Sequence, residues 1–308
     1  MTAVTLLQLG SAILINASFA WMTGAWLSRF WLQSSHRAYD GLDNIVATSS
    51  LIAAGLCLLG SGAALWAATA VMSGASLAQA TDMLMLVASD TALGHSSVQG
   101  MAMLLAIVGV GLIARRLPKS SPACDLIVAA LLLGFAFSRA SVSHAAENGL
   151  LSIGFAVEWL HLALVASWMG AVALAGWVVL PFAQRIPAAP DYSRNLSGYL
   201  ASLSQAAGLA LAGIVATGLY NSWQRLGEFD KLFGNAYGNA LTVKVALVLL
   251  AVALGGYNKW IGFASISTAT STQALARVSA ILRVEAWLLL AALSAAAVLV
   301  SQAPPASF

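Results

Sequence analysis

The sequence predicts an all-α fold: a polytopic membrane helix bundle with eight transmembrane helices. Composition, the length of the apolar runs and the sparse placement of charge all point to it. Of 308 residues, 60% are hydrophobic and 8% charged, whereas a water-facing domain carries about 25% charged residues. Lipid is the solvent that suits such a chain. A bilayer-spanning helix needs about 20 mostly apolar residues, and eight stretches of the sequence supply them.

The first stretch, 6–27, has no Lys or Arg before it, so it lacks the basic start of a signal peptide and reads as a retained helix. The next three are 45–71, 97–114 and 124–142. Residues 83–93, led by Met83 and Met85, are too short to span and are expected to form a surface helix or a packed loop. The fifth stretch, 152–182, is long enough to tilt or to project beyond the bilayer. The last three are 196–219, 238–258 and 281–301, and the Ser/Thr/Ala-rich residues 264–276 read as a flexible loop. The whole chain, 1–308, is expected to form a single transmembrane domain. Trp21, Trp26, Trp66, Trp177, Trp223 and Trp260 fall near span ends, as interfacial anchors do.

Loop cations set the expected orientation. Arg29, Arg37, Arg115, Arg116, Lys119, Arg185, Arg194, Lys259 and Arg277 belong to the odd loops, with Arg283 just beyond the seventh where the last helix begins, against Arg139, Arg225 and Lys231 in the even ones. The odd loops are thus expected inside the cell and both termini outside. The net charge of +3 comes without a basic run, which argues against a nucleic-acid partner. Cys57 and Cys124 form no C-x-x-C motif and read as small apolar helix residues.

Polar residues inside spans carry the functional signal. An ionisable side chain at the bilayer centre costs roughly 2.5–3.5 kcal/mol on insertion scales. Glu158 and His161 are three apart, and Trp168 is seven further on, so they share one helical stripe. His161 is expected roughly 15 Å below the outer end of its helix, near the midplane. His95 and His144 fall on the outer side, and His36 in an inner loop. Met72, Met83, Met85, Met101 and Met103 also cluster at the outer side. Thioethers select Cu(I), and imidazole suits copper in either oxidation state. Met101 and Met103 are two apart and point to nearly opposite helix faces, so both are not expected in one site. Lys244 is expected to snorkel or to pair with a buried acid such as Glu158. Arg283 and Glu285 are expected to bond to different helices, and Asn258 reads as a structural residue.

These residues make the sequence recognisable. Ser143-His144-Ala145, the run Glu158-Trp159-Leu160-His161 with Trp168-Met169-Gly170, Tyr237-Gly238 followed by Lys244 and Asn258, and Arg283-x-Glu285 leading to Pro304-Pro305 together resemble the CopD family of bacterial copper-resistance and copper-transport inner-membrane proteins. The resemblance runs from about residue 140 to the end. It implies eight spans, an outer face that is the periplasm, copper handling, and a periplasmic CopC-type protein as copper donor. His144 and His161 are its best functional matches. The expected function is copper transport across the inner membrane, from periplasm to cytoplasm, without enzymatic activity and with copper, Cu(I) or Cu(II), as the bound ion. The expected ligands are His144, His161, His95, Glu158, Met101, Met103, Met83 and Met85. No Walker or phosphorylation motif is present to suggest ATP hydrolysis. Two alternatives are a haem-bearing electron carrier, with histidines from successive spans as axial ligands, and a scaffold or sensor that binds copper only outside.

Overall fold

A computed structural model describes residues 2–32, 41–116, 122–185, 190–226, 236–263, 266 and 272–300. The flexible loop expected at 264–276 falls mostly outside the described residues, as do His36, Arg37, Lys119, Lys231 and Pro304-Pro305. Its last residues, 272–276, are helical, and Arg277 is a helix residue rather than a loop one.

Among the described residues there is no strand. The helices are α1 (Ala3–Leu32), α2 (Leu42–Ser73), α3 (Leu77–Asp90), α4 (Ala92–Ala114) and α5 (Pro122–Ala140). They continue with α6 (Ile153–Leu174), α7 (Leu180–Ala183), α8 (Pro190–Leu226), α9 (Ala236–Tyr257) and α10 (Thr272–Val300). Eight helical stretches are long and apolar enough to cross a membrane, and they coincide with the eight expected from sequence. Most run several residues further at their ends, because helix geometry continues into polar flanks that an apolar run does not mark.

Two joints keep helices continuous where the α pattern changes. A π turn, Ala175–Val179, links α6 to α7, and a second, Asn258–Gly262, extends α9. A π turn releases a carbonyl from the i→i+4 ladder. Gly176 O accepts both Ser279 Oγ (2.8 Å) and Arg283 Nε (2.8 Å) from α10.

The short segment between α2 and α4 is α3, a surface helix rather than a loop. Its start is fixed by a capping box, Ser76 with Gln79. Gly74 closes α2 in the left-handed conformation (φ 63°), where its N–H reaches Ala70 O and Val71 O.

The span formed by α6, the π turn and α7 is the interior helix. Of its most apolar stretch 61% is buried, against 6–39% for the other spans. It packs on α1, α5, α8 and α10. The contact with α1 is a glycine crossing. A Cβ on Gly24 would strike the backbone of Gly170, and one on Gly170 would strike Ala20 O and Gly24 N. Only hydrogen at both positions allows the two backbones to come so close. Phe19, Met22, Trp168, Met169 and Val172 fill the core around it.

The tryptophans do more than mark interfaces. Trp26 Nε1 donates to Asp125 O and Trp66 Nε1 to Leu77 O, each at 2.9 Å. Trp21 lies well inside α1, against Trp177, which in turn meets Trp287 edge-on. Trp223 and Trp260 are exposed, as anchors are. Cys57 and Cys124 are both free thiols within helices.

Gly170→Ala should lower the thermal unfolding midpoint of the detergent-purified protein, because the overlap with backbone costs roughly 1–3 kcal/mol or more. Gly109→Ala, where a Cβ meets nothing within 4 Å, should leave it nearly unchanged. Circular dichroism melts of the two variants check this.

Candidate functional site

The stripe read from Glu158, His161 and Trp168 exists, but it serves two partners. Its first half faces α8. His161 Nδ1 lies 2.8 Å from Thr217 Oγ1, and Asn221 Nδ2 donates to Glu158 Oε2 at 2.8 Å. Thr217 and Asn221 are four apart, hence one above the other on α8, as Glu158 and His161 are on α6. The two helices thus meet along a polar ladder inside an apolar interface. Gly218 gives the imidazole its room: a Cβ there would lie 3.6 Å from His161 Cε1.

The geometry also orients the imidazole. Thr217 Oγ1 is 2.6 Å from Gly213 O, which takes the hydroxyl proton. The hydroxyl oxygen then accepts from His161 Nδ1–H, an assignment that follows from the hydrogen-bond network. In that tautomer Nε2 carries the ring lone pair, the form in which imidazole ligates a metal.

The second half of the stripe faces α10. Trp168 Nε1 donates to Glu285 Oε1 at 3.2 Å, and both residues are buried. Trp168 is the central residue of the Ile153–Ala183 span. His161 stands about 12 Å from the helix start, some two turns before that centre, so the level expected for His161 belongs to Trp168 and Glu285. Arg283 and Glu285, expected on different helices, both bond to this one span. The physical reason is Gly176, which has no side chain to keep the long Arg283 stem off the π turn.

The other expected ligands gather at the same end of the bundle as the start of α6. His144 opens a short 3-10 turn, His144–Ala146, after α5. The turn is closed by Gly149 at φ 94°. The His144 Nδ1 is 2.7 Å from Glu147 Oε1, and both side chains are largely exposed. His95, in the first turn of α4, has Nε2 2.5 Å from Ser89 O. Its neighbour Ser96 bonds Ser138 O and Ser141 Oγ on the α5 side, which places the α4 start beside the segment leading to His144. Met85 and His95 line one groove of about 460 Å³, together with Ser89 and Gln99.

The remaining methionines diverge. Met83 is exposed on α3. Met101 lines an apolar groove between α2, α3 and α4. Met103 points at α5, where its Sδ would lie 3.0 Å from a Cβ on Gly134. The opposed faces expected for Met101 and Met103 are thus seen. Among the described residues, no three His, Cys, Asp or Glu side chains converge into a metal-holding group. The histidines stand as separate stations.

Glu147, Thr217 and Asn221 were missed by sequence reasoning. Glu147 has a local signal, three residues after His144. Thr217 and Asn221, four apart inside a span, carry the same kind of one-turn spacing that picked out Glu158 and His161, three apart.

The fold defines a multi-pass membrane helix bundle with a buried polar ladder and imidazoles grouped toward one end. Residues 197–299, from α8 through α10, match the family described as Copper resistance protein D, CopD. That stretch is similar to a CopD domain, and the chain as a whole has eight helices long and apolar enough to cross a membrane. The matched stretch contains Thr217, Asn221, Asn258 and Glu285; the histidines and the methionines expected as ligands precede it. Comparison with curated proteins and with solved structures returned no match.

Thr217→Val removes the hydroxyl that holds the His161 ring and should destabilise the protein by about 1–3 kcal/mol, the usual cost of leaving a buried polar group unpaired. His144→Ala loses an exposed pair worth about 0–1 kcal/mol and should change stability little. Thermal unfolding of both variants in the same detergent distinguishes a buried ladder from a surface contact.

Proposed function

We propose that this protein carries copper across the inner membrane, from periplasm to cytoplasm, taking it from a periplasmic CopC-type donor. The observation that carries the proposal is His161: an imidazole inside the bundle, oriented through Nδ1 by Thr217, one turn from Glu158, in a chain whose CopD match names copper resistance. Supporting it, His95 and His144 stand at the same end of the bundle, near the start of α6. With both termini in the periplasm, as the loop cations favour, that end is the outer one.

Copper is the cargo here, and few ligands per station is the arrangement a pathway needs. Each ion must bind weakly enough to leave again. His144, with Glu147 beside it, and His95, with Met85 across its groove, are the entry stations. His161 with Glu158 is the interior one. Imidazole accepts copper in either state, and the thioether of Met85 favours Cu(I). Met83, Met101 and Met103 face other surfaces and stand apart from this route. The protein itself does no covalent chemistry: exchange from the donor, or the membrane potential, drives the movement. The single transmembrane domain, 1–308, is the transport unit.

Copper content of the detergent-purified protein after loading tests the reading. Wild type should retain copper, and His144→Ala or His161→Ala should each lower the amount bound. Unchanged copper content in both variants would overturn this assignment of stations.

A further inference from the structure

The polar ladder on α8 does not account for the buried side-chain polar atoms that lack a partner among the described residues. Asn258, the first residue of the second π turn, is 1% exposed, and neither its Oδ1 nor its Nδ2 has a hydrogen-bond partner. Glu285 is 2% exposed; its Oε1 accepts from Trp168, while Oε2 has no partner. An unpaired amide in an apolar interior costs about 1–3 kcal/mol by mutational data, and an unpaired carboxylate far more. Three such atoms in one region call for an occupant.

The register of α9 on α10 sets these atoms along one seam. A Cβ on Gly255 would lie 3.2 Å from Glu285 Oε1, and a Cβ on Gly262 2.8 Å from Asn258 Oδ1 and 3.0 Å from Val278 Cγ2. The helices therefore run antiparallel, with Gly255 level with Glu285 and Gly262 level with Val278. Asn258 falls between, about one helical turn from Glu285 along the seam. Glycines at 255 and 262 keep the seam open, and Trp168 closes it from α6. Glu285 stands at the level of Trp168, the central residue of the interior span, and Asn258 lies near the end of its own span.

The chemistry of the donors selects the occupant. Asn258 offers an acceptor and a donor, and Glu285 a carboxyl oxygen. Buried water satisfies that mixture, since it can donate to either oxygen and accept from Nδ2. A bare metal cation would face the Asn258 N–H group and find few oxygens. A proton on Oε2 removes the charge that the interior disfavours and turns that oxygen into a donor. The other charged side chains on the packed elements are directed elsewhere or lie at a distance in the chain. Arg29 is in the last turn of α1, and Glu158 and His161 face α8. Lys244 is four turns before Asn258 on α9, and Lys259 is exposed. On α10, Arg277 is exposed and Arg283 is bound through Nε to Gly176 O.

We propose that Glu285, held by Trp168, and Asn258 form an internal site for a proton and buried water along the α9–α10 seam, and that copper movement is coupled to protons there. The coupling rests on the transport reading above; the site does not. The proton arrives on Oε2 from water and leaves to water, with no other bond changed.

Infrared titration of the full chain in lipid nanodiscs, in H2O and in D2O, reads the site without copper. Wild type should show a carboxylic-acid carbonyl band that shifts on deuteration. The band should be lost in Glu285→Gln and shifted in Asn258→Leu and in Trp168→Phe, which keep the carboxyl if Glu285→Gln fails to fold. A spectrum in which none of the three variants alters a carboxylic-acid band would overturn the site. Loss of the wild-type band on replacing K⁺ by Na⁺ would overturn it too, showing a metal cation in place of the proton. Proteoliposomes with a trapped pH dye test the coupling: copper addition should move protons in wild type, and Glu285→Gln should abolish that movement. The band without copper uptake would sink the transport reading and leave the site; uptake without the band would do the reverse.

Discussion

The close crossing of α1 and α6 at Gly24 and Gly170 is the constraint on which the rest of the structure depends. In lipid there is no hydrophobic force to press helices together, so backbone approach and dispersion must hold them. Two glycines facing each other let α6 sink into the bundle against α1. The opposite side of α6 is then free to carry polar groups toward α8 and α10 without exposing them to lipid. Glu158 and His161 find Asn221 and Thr217, and Trp168 finds Glu285. The same interior position makes α6 the most buried of the spans and places its end, through the π turn, where Gly176 can hold Arg283 and Ser279.

From this follows a division of labour between surface and interior. His95 and His144 sit at one end of the bundle, with single polar neighbours and access to solvent. His161 and Glu158 lie within the helix packing, held by α8. Further along, at the middle of the span, the polar groups change character: a carboxyl, an amide and an indole N–H replace imidazole. Imidazole and thioether groups occupy one end, and oxygen and nitrogen groups the centre. That arrangement accords with the proposed handling of a metal at that end and of a proton in the middle.

Much of the fold was legible in the sequence, for a simple reason. Whether a segment spans a bilayer depends on that segment's own length and polarity, and the eight runs had both. The stripe of Glu158, His161 and Trp168 was legible because helical periodicity is local, and so was the divergence of Met101 and Met103. The partners of those residues were not legible. That Thr217 meets His161, or that Gly255 lies level with Glu285, depends on the relative register of two helices distant in sequence, and nothing local encodes it. The π turns at 175–179 and 258–262 were missed as well; in the first the cause is tertiary, since α10 supplies Ser279 and Arg283 to take the carbonyl of Gly176. Asn258 looked structural for the same reason. Its lack of partners emerges from the packing of α9 on α10, and its identity alone does not disclose it.

The central claim is that copper passes through the bundle by way of His161. Uptake of radioactive copper into proteoliposomes containing the wild-type chain, compared with His161→Ala, tests it most directly. Wild-type vesicles should accumulate copper with time. His161→Ala, folded as judged by its melting behaviour, should accumulate no more than empty vesicles. Equal uptake by the two proteins would contradict the account and confine copper to the outer surface.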